Sequence, residues 1–211
     1  MSEHSHYREA HPLVFVLTHY INLICMIMLA FSGFYIHYPF FNGFMGVARG
    51  MHFVAMYVIV INLTFRIIAA FFVKTSPDLG SREVDTDIKN WLPQEKNKHQ
   101  FFETIKYYLF LRKEGVISAK YGSLQKISYL ATIPLTYLQA YTGFALYGPT
   151  QGSFGGALDL VGGPMNMRII HYFIMWVFIV FTMVHAYLAN IYNFAPSKMI
   201  FLWKETEVKG H

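Results

Sequence analysis

The chain has 211 residues, of which 55% are hydrophobic and only 14% are charged, with a formal net charge of +5. This composition is too apolar for an ordinary soluble domain. The positive charge does not indicate a nucleic-acid-binding protein, because nearly all loop lysines and arginines fall in the N-terminal arm, the 74–126 connection and the C-terminal tail. Such a one-sided distribution is typical of a membrane protein.

Four apolar runs predict membrane-spanning helices, because a bilayer crossing needs about 18 or more apolar residues. The runs cover residues 13–36, 51–73, 127–146 and 169–192. No small-residue cleavage site follows the first run, so we expect a retained helix rather than a signal peptide. The predicted fold is all-α: one transmembrane domain over residues 1–211, built as a four-helix bundle.

The connections between these runs set the predicted orientation. The connection over 37–50 holds the glycine-marked turn NGFMG, and the one over 147–168 is rich in glycine. The latter lacks the GK[ST] ending of a phosphate loop, so we interpret it as a plain external loop. Because the basic residues concentrate in the 74–126 connection and the tails, the positive-inside rule predicts that both termini and that connection are cytoplasmic.

Residues 100–114, QFFETIKYYLFLRKE, mix aromatic and aliphatic side chains with charged ones. The pattern predicts an amphipathic helix that lies at the membrane interface between the second and third spans. An ordinary helix packed on a partner subunit would show the same pattern, and both interpretations stay open.

Four of the ten histidines lie inside the apolar runs: His19, His52, His171 and His185. A polar group in hydrocarbon is costly unless it has a partner, so intramembrane ionisable residues are functional candidates by default. One such histidine alone is equally well explained by a hydrogen bond between helices. Four of them at matched depths favour metal ligation.

The spacing of these histidines predicts two pairs. His171 and His185 are fourteen residues apart, which returns them to within about 40° of one helix face and separates them by about 21 Å. His52 and His171 lie near the outer starts of their helices, whereas His19 and His185 lie about two turns from the cytoplasmic ends. Each pair offers two axial imidazoles to one iron, so we predict an outer and an inner haem.

The single cysteine, Cys25, excludes the Cys-x-x-Cys-His attachment of a c-type haem, so any haem would be held by non-covalent ligation. Arg49 and Arg168 each precede an outer ligand by three residues and are candidates to pair with haem propionates. Lipid-headgroup anchoring is the alternative for both. Arg66 is a weaker candidate for the environment of the inner haem.

Gly33 and Gly143 lack a side chain at positions that we expect to face the bundle. They would let a porphyrin face approach the helix backbone. Close packing between helices explains them equally well.

Together these residues resemble the di-haem cytochrome b subunit of membrane-bound nickel–iron uptake hydrogenases. The resemblance covers nearly the whole chain. It rests on His19 and on the stretches SGFYI, RGMHF…FRIIAAF, KYYLFLRKE, TGFALY and RIIHYFIMW…VHAYLA. The wider group includes the cytochrome b subunits of formate dehydrogenases and thiosulfate reductases, which share the histidine framework.

The resemblance implies a non-catalytic anchor and electron-transfer subunit in the bacterial cytoplasmic membrane. Electrons would come from hydrogenase small and large subunits on the periplasmic face. They would cross two haem b groups and reduce menaquinone or ubiquinone near the cytoplasmic side. The chain has no hydrogen-splitting site of its own, since one cysteine cannot ligate nickel and iron–sulfur clusters.

The resemblance also places a quinone site at the cytoplasmic start of the third span, where the family pattern reads Asn-Pro-x-Gln. This chain has GSLQ there: Gln125 is kept, but Gly122 and Ser123 replace the Asn and Pro. Gln125 is therefore a candidate to donate to a quinone carbonyl. A shifted quinone pose, a different acceptor, or a solvated interfacial Gln125 are the alternatives.

Three other functions fit parts of the pattern. The same conduit would serve a formate dehydrogenase. A transporter whose histidines relay protons would be colourless, and a purely structural anchor would leave its histidines without haem.

Overall fold

A computed structural model describes residues 7–77, 82–91, 102–103, 106, 111, 123–190 and 194–206, and they are mostly helical. In chain order the helices and strands are α1 Leu13–His37, α2 Met45–Ala70, β1 Lys74–Thr75, β2 Asp85–Thr86, α3 Asp87–Trp91, α4 Ser123–Leu146, α5 Gln151–Phe154, α6 Gly156–Leu160, α7 Pro164–Asn190 and α8 Ala195–Leu202. A 3-10 turn at Arg8–Ala10 precedes α1, and another at Gly148–Thr150 lies between α4 and α5.

Three of the described helices are long and apolar enough to cross a membrane: α1, α2 and α7, with mean hydropathies of 2.2, 2.1 and 2.0. The fourth long helix, α4, has 24 residues, which at 1.5 Å per residue is about 36 Å and long enough to span. It is more polar, because it carries Lys126, Gln139 and several hydroxyl residues. The sequence therefore predicted all four helices, of which three have the composition of a span.

Two helices begin earlier than the apolar runs suggested. α2 starts at Met45, so Arg49 lies inside the helix. α7 starts at Pro164, so Arg168 does too; proline suits a first helical position because its missing N–H has no partner to lose there. The predicted turn NGFMG contains Gly43 at φ +83°, a left-handed conformation that favours glycine. The predicted external loop over 147–168 contains α5 and α6.

The described chain divides into two compact units. Unit 1 comprises Met1–Thr18, Phe65–Thr132 and Leu188–His211, and unit 2 comprises His19–Thr64 and Ile133–Tyr187.

Unit 1 is organised around the buried carboxylate of Asp87, at the start of α3. Its Oδ1 accepts a hydrogen bond from Thr75 at 2.7 Å, and its Oδ2 accepts from Arg66 Nη2 at 2.8 Å and from Trp91 Nε1 at 3.0 Å. The Arg66 guanidinium also packs over the Phe15 ring, 3.5 Å from its centre. The ion pair of Arg66 and Asp87 thus joins α1, α2, the two-stranded ribbon and α3.

The two ends of the described chain meet in unit 1. Arg82 bonds Glu9 at 2.8 Å and approaches Glu205 at 3.7 Å. The hydrogen bond to Glu9 raises the pKa of the Arg82 guanidinium. Arg8 lies over the Trp203 ring at 4.4 Å. These contacts hold the N-terminal arm against the residues that follow α8.

Unit 2 contains parts of all four long helices, each in contact with two others. α1 contacts α2 through Asn22 and Asn62 at 2.7 Å, and α2 contacts α4 through Thr64 and Tyr137 at 2.9 Å. α4 contacts α7 through Thr142 and His171 at 2.8 Å, and α7 contacts α1 through Trp176 and Phe34, whose ring centres are 5.4 Å apart. Fully buried small residues such as Ala55 and Ala145 allow the helices to approach closely.

Large apolar side chains cover the exterior of the same helices. Ile24, Ile61, Phe173 and Met183 are each more than half exposed. Apolar exposure on this scale is unusual for a soluble protein but suits a surface that faces lipid.

Candidate functional site

The first predicted pair, His52 on α2 and His171 on α7, is assembled in unit 2. The two imidazole rings have their centres 6.2 Å apart, with an angle of 61° between their planes. Both residues are half-buried. The structure therefore places the two residues that the depth argument paired near each other, while their ligation of an outer haem stays a prediction.

The second predicted pair, His19 on α1 and His185 on α7, is also assembled. Its ring centres are 6.4 Å apart, with 43° between the planes. The Phe181 ring stacks on His185 at 5.9 Å with an interplanar angle of 17°. One face of α7 thus supplies one histidine to each pair.

These separations are too long for a direct hydrogen bond between the rings. A ring nitrogen lies about 1.1 Å from the imidazole centre, so centres 6.2 Å apart leave the nitrogens no closer than about 4.0 Å even in the best orientation. A hydrogen bond needs about 3.5 Å or less. A direct hydrogen bond between the two imidazoles is therefore excluded within both pairs. The interhelical hydrogen bond considered for a single histidine is present at His52 and His171, where the partners are hydroxyls of α1 and α4.

The same separations fit one metal ion between two imidazoles. A metal–imidazole bond of about 2.0–2.1 Å, added to about 1.1 Å from nitrogen to ring centre on each side, places the centres about 6.3 Å apart. The observed values are 6.2 and 6.4 Å. The four histidines therefore fit two iron centres with two axial imidazoles each.

Two hydroxyls orient the outer pair. Ser32 Oγ lies 3.0 Å from His52 Nδ1, and Thr142 Oγ1 lies 2.8 Å from His171 Nδ1. Both Ser32 and Thr142 are buried. Sequence reasoning missed them, although each immediately precedes a glycine that it had singled out.

The two glycines lie against the outer ligands. A Cβ added at Gly33 would meet His52 Cε1 at 3.5 Å, and one added at Gly143 would meet His171 Cε1 at 3.3 Å. The predicted alternatives were an approach of porphyrin to the backbone and close helix packing. At Gly143 the structure shows a third use, which is room for the His171 imidazole, whereas a Cβ at Gly33 would make an ordinary contact with His52.

Gln139 is a further polar neighbour that the sequence analysis missed. Its Nε2 donates to the backbone carbonyl of His171 at 3.0 Å and lies 3.4 Å from His171 Nε2. Its Oε1 is buried and has no hydrogen-bond partner among the described residues. The one available signal was a glutamine in the middle of an otherwise apolar helical stretch.

The predicted arginines fall into two groups. Arg49 and Arg168 are exposed in the first turns of α2 and α7, and their pairing with propionates stays a prediction. Arg66 is held by Asp87 and Phe15 in unit 1. Its predicted role beside the inner haem also stays a prediction.

The predicted quinone residue is only partly described. Gln125 lies in the first turn of α4, but its side chain, and Gly122, lie outside the described residues. Most of the predicted interfacial helix over 100–114 lies outside them as well.

Comparison with known proteins gives consistent matches. The family model for prokaryotic cytochrome b561 matches residues 10–201. Among curated relatives, a probable Ni/Fe-hydrogenase B-type cytochrome subunit from Azotobacter chroococcum mcd 1 is 30% identical, over 82% of this chain and 76% of the relative. Proteins of the same name from Azotobacter vinelandii and Cupriavidus necator are 27% and 28% identical, over 82% of this chain and 76% and 75% of their own lengths.

Proposed function

Because the chain belongs to the prokaryotic cytochrome b561 family, we propose that it is a membrane-anchored electron-transfer subunit with two b-type haems, serving a nickel–iron hydrogenase. The observation that carries the proposal is the repeated imidazole spacing, 6.2 Å in one pair and 6.4 Å in the other. It supports one iron per pair, since each spacing matches two axial nitrogens across a single metal.

In this proposal His52 and His171 hold the outer haem, and His19 and His185 hold the inner one. Bound haem supplies one-electron redox chemistry. The chain's own residues fix the ligand orientation through Ser32 and Thr142 and exclude water with the apolar helices around each pair. About 21 Å along α7 separates His171 from His185, so the two sites would reach into opposite halves of a bilayer.

We further propose that α1, α2, α4 and α7 form a four-helix bundle in the bacterial cytoplasmic membrane, within a single domain over residues 1–211. The cyclic contacts among these helices in unit 2 support the bundle. The concentration of lysine and arginine in the tails and in the 74–126 connection supports cytoplasmic termini.

The proposed partner is a hydrogenase, on the strength of the relatives' names. Its small and large subunits would dock on the periplasmic face, where one hydrogen molecule yields two electrons and two protons. Two electrons, with two protons taken up inside, would reduce one menaquinone or ubiquinone to the quinol. Gln125 is the proposed donor to a quinone carbonyl.

Affinity purification of the complex through a tag on this chain tests the partner. We expect hydrogenase subunits in stoichiometric amount and hydrogen-dependent reduction of an added quinone. Formate dehydrogenase subunits with formate-dependent reduction would instead assign the same conduit to that enzyme. A haem-free preparation that moves protons across vesicles would support the transporter.

A further inference from the structure

The outer site is built twice from the same local pattern. Ser32-Gly33 on α1 faces His52, and Thr142-Gly143 on α4 faces His171. In each case the hydroxyl contacts Nδ1 and the glycine lies beside Cε1. The two dipeptides are 110 residues apart in the sequence, within SGF and TGF.

Each glycine also lies near a methionine sulfur, which comes from the helix that carries the other histidine of the pair. A Cβ at Gly33 would lie 3.5 Å from Met175 Sδ, and a Cβ at Gly143 would lie 3.4 Å from Met56 Sδ. Met56 follows His52 by four residues and Met175 follows His171 by four. The outer pair therefore has the same three kinds of neighbour on both sides: a hydroxyl, a glycine and a thioether.

The hydroxyls of Ser32 and Thr142 donate hydrogen bonds to backbone carbonyls of their own helices. Thr142 Oγ1 donates to the carbonyl of Gln139 at 2.8 Å. Ser32 Oγ donates to the carbonyl of Met28, with Leu29 further away at 3.3 Å. Such back-bonding uses the one hydroxyl hydrogen and leaves a lone pair facing the histidine.

That lone pair favours one protonation state of the ring. With the hydroxyl hydrogen directed to the carbonyl, the hydroxyl oxygen is placed to accept a hydrogen from Nδ1 of His52 and of His171. Nε2 then keeps a lone pair for a metal. The partner carbonyls polarise the hydroxyls further, which makes them stronger acceptors.

His19 of the inner pair does not have this arrangement. His19 Nδ1 is buried and has no hydrogen-bond partner among the described residues. In the outer site, Thr142 follows Ser32 by 110 residues and His171 follows His52 by 119 residues. In the inner site, the residue 110 positions after His19 is Tyr129, and the residue 119 positions before His185 is Arg66, so neither histidine has a histidine counterpart. The duplication in the sequence therefore stops at the outer pair.

We propose that Ser32 and Thr142 are positioning residues that lower the reduction potential of the outer haem. The inference rests on the proposed function, because it requires a haem at His52 and His171. An acceptor on Nδ1–H makes the imidazole a more basic ligand, which stabilises the oxidised iron over the reduced iron. Two such acceptors act on one iron, one from each side.

The test is potentiometry of both haems in the purified full chain, with the ferric electron paramagnetic resonance spectrum as a second readout. The variants His171→Ala and His185→Ala, each expected to lose one haem, assign the two potentials. Ser32→Ala and Thr142→Val remove the hydroxyls with little change of volume. Thr142→Ser keeps the hydroxyl. Thr182→Val is the matched control, because Thr182 back-bonds Phe178 in the same way and touches neither outer ligand.

We expect Ser32→Ala and Thr142→Val each to raise the outer potential, with a larger shift in the double variant and the inner potential unmoved. Thr142→Ser and Thr182→Val should leave both potentials in place. Loss of the outer haem in Thr142→Val but not in Thr142→Ser would support the same role.

Two full haems with unshifted potentials in the hydroxyl-free variants would overturn the inference. Loss of the outer haem in Thr142→Ser as well would also overturn it, since side-chain volume would then matter instead of the hydroxyl. Wild-type protein without haem would refute the proposed function, a result distinct from either of these.

Discussion

The imidazoles of His52 and His171 face each other with ring centres 6.2 Å apart. This separation is beyond the reach of a direct hydrogen bond and equals the span of two imidazoles on one metal. The same relationship recurs between His19 and His185 at 6.4 Å. Two independent pairs with one spacing are the strongest structural support for a di-haem subunit.

Replacement of one outer ligand should remove one haem. In His171→Ala we expect one haem equivalent per chain, because the outer iron loses an axial nitrogen while the inner pair is untouched. Haem content and the reduced-minus-oxidised spectrum measure the loss. His37→Ala is the control: His37 is exposed and stacks on Tyr172 at 4.2 Å without facing another histidine, so both haems should remain. Retention of two haems in His171→Ala would contradict the assignment.

Replacement of the inner ligand should have the complementary effect. His185→Ala is expected to lose the inner haem and keep the outer one, since α7 carries the two sites about 21 Å apart. The haem that remains in His185→Ala should have the reduction potential of the haem that His171→Ala has lost. If both variants lost the same spectral component, the division into an outer and an inner pair would be wrong.

The two glycines should differ in their tolerance of a methyl group. A Cβ at Gly143 meets His171 Cε1 at 3.3 Å, which forces the ring to move, whereas a Cβ at Gly33 meets His52 at 3.5 Å, an ordinary contact. Gly143→Ala should therefore reduce outer-haem occupancy or alter its ferric spectrum more than Gly33→Ala. Equal effects of the two substitutions on the outer haem would contradict this difference between the glycines.

The buried ion pair in unit 1 should matter for stability but not for haem content. Asp87→Ala leaves Arg66 without its partner, and loss of one member of a buried pair costs about 3–5 kcal/mol. Thermal unfolding in detergent measures it, and both haems should remain in the folded fraction. Asp85→Ala is the control, because Asp85 pairs with Lys89 at the surface, where the contact lowers the pKa of Asp85 but contributes little to stability. Equal unfolding temperatures in the two variants would contradict this account of Asp87.

The proposed quinone site predicts that a substitution at Gln125 slows quinone reduction without a loss of haem. Gln125→Leu should keep two haems and slow quinone reduction by the complex, since a carbonyl of the quinone would lose its donor. Electron flow to a soluble dye from the outer haem should stay unchanged. An unaltered quinone rate would remove Gln125 from the site.

The pairing of the histidines could be predicted from the sequence because it depends on helix periodicity and depth alone. His171 and His185 share a face of α7 at fourteen residues, and their partners were assigned by distance from the helix ends. The structure places the members of each pair near each other and confirms three apolar helices of membrane-crossing length. Both follow from local rules. That the pairs ligate haem stays a prediction.

The neighbours of the ligands could not be predicted in the same way. Ser32 and Thr142 are ordinary hydroxyl residues within apolar helices, and their role depends on the rotation of one helix against the next. The ion pair between Arg66 and Asp87 joins residues 21 positions apart in the sequence, a contact that no periodic pattern encodes. The sequence predicted Arg66 beside the inner haem from its position on the helix alone, and that role stays a prediction.

A pyridine haemochrome assay on the purified chain, with a redox-difference spectrum, tests the central claim most directly. We expect two b-type haems per polypeptide, lost one at a time when either pair is broken. Fully folded protein that binds no haem, or a single haem that survives the loss of each pair in turn, would contradict the account.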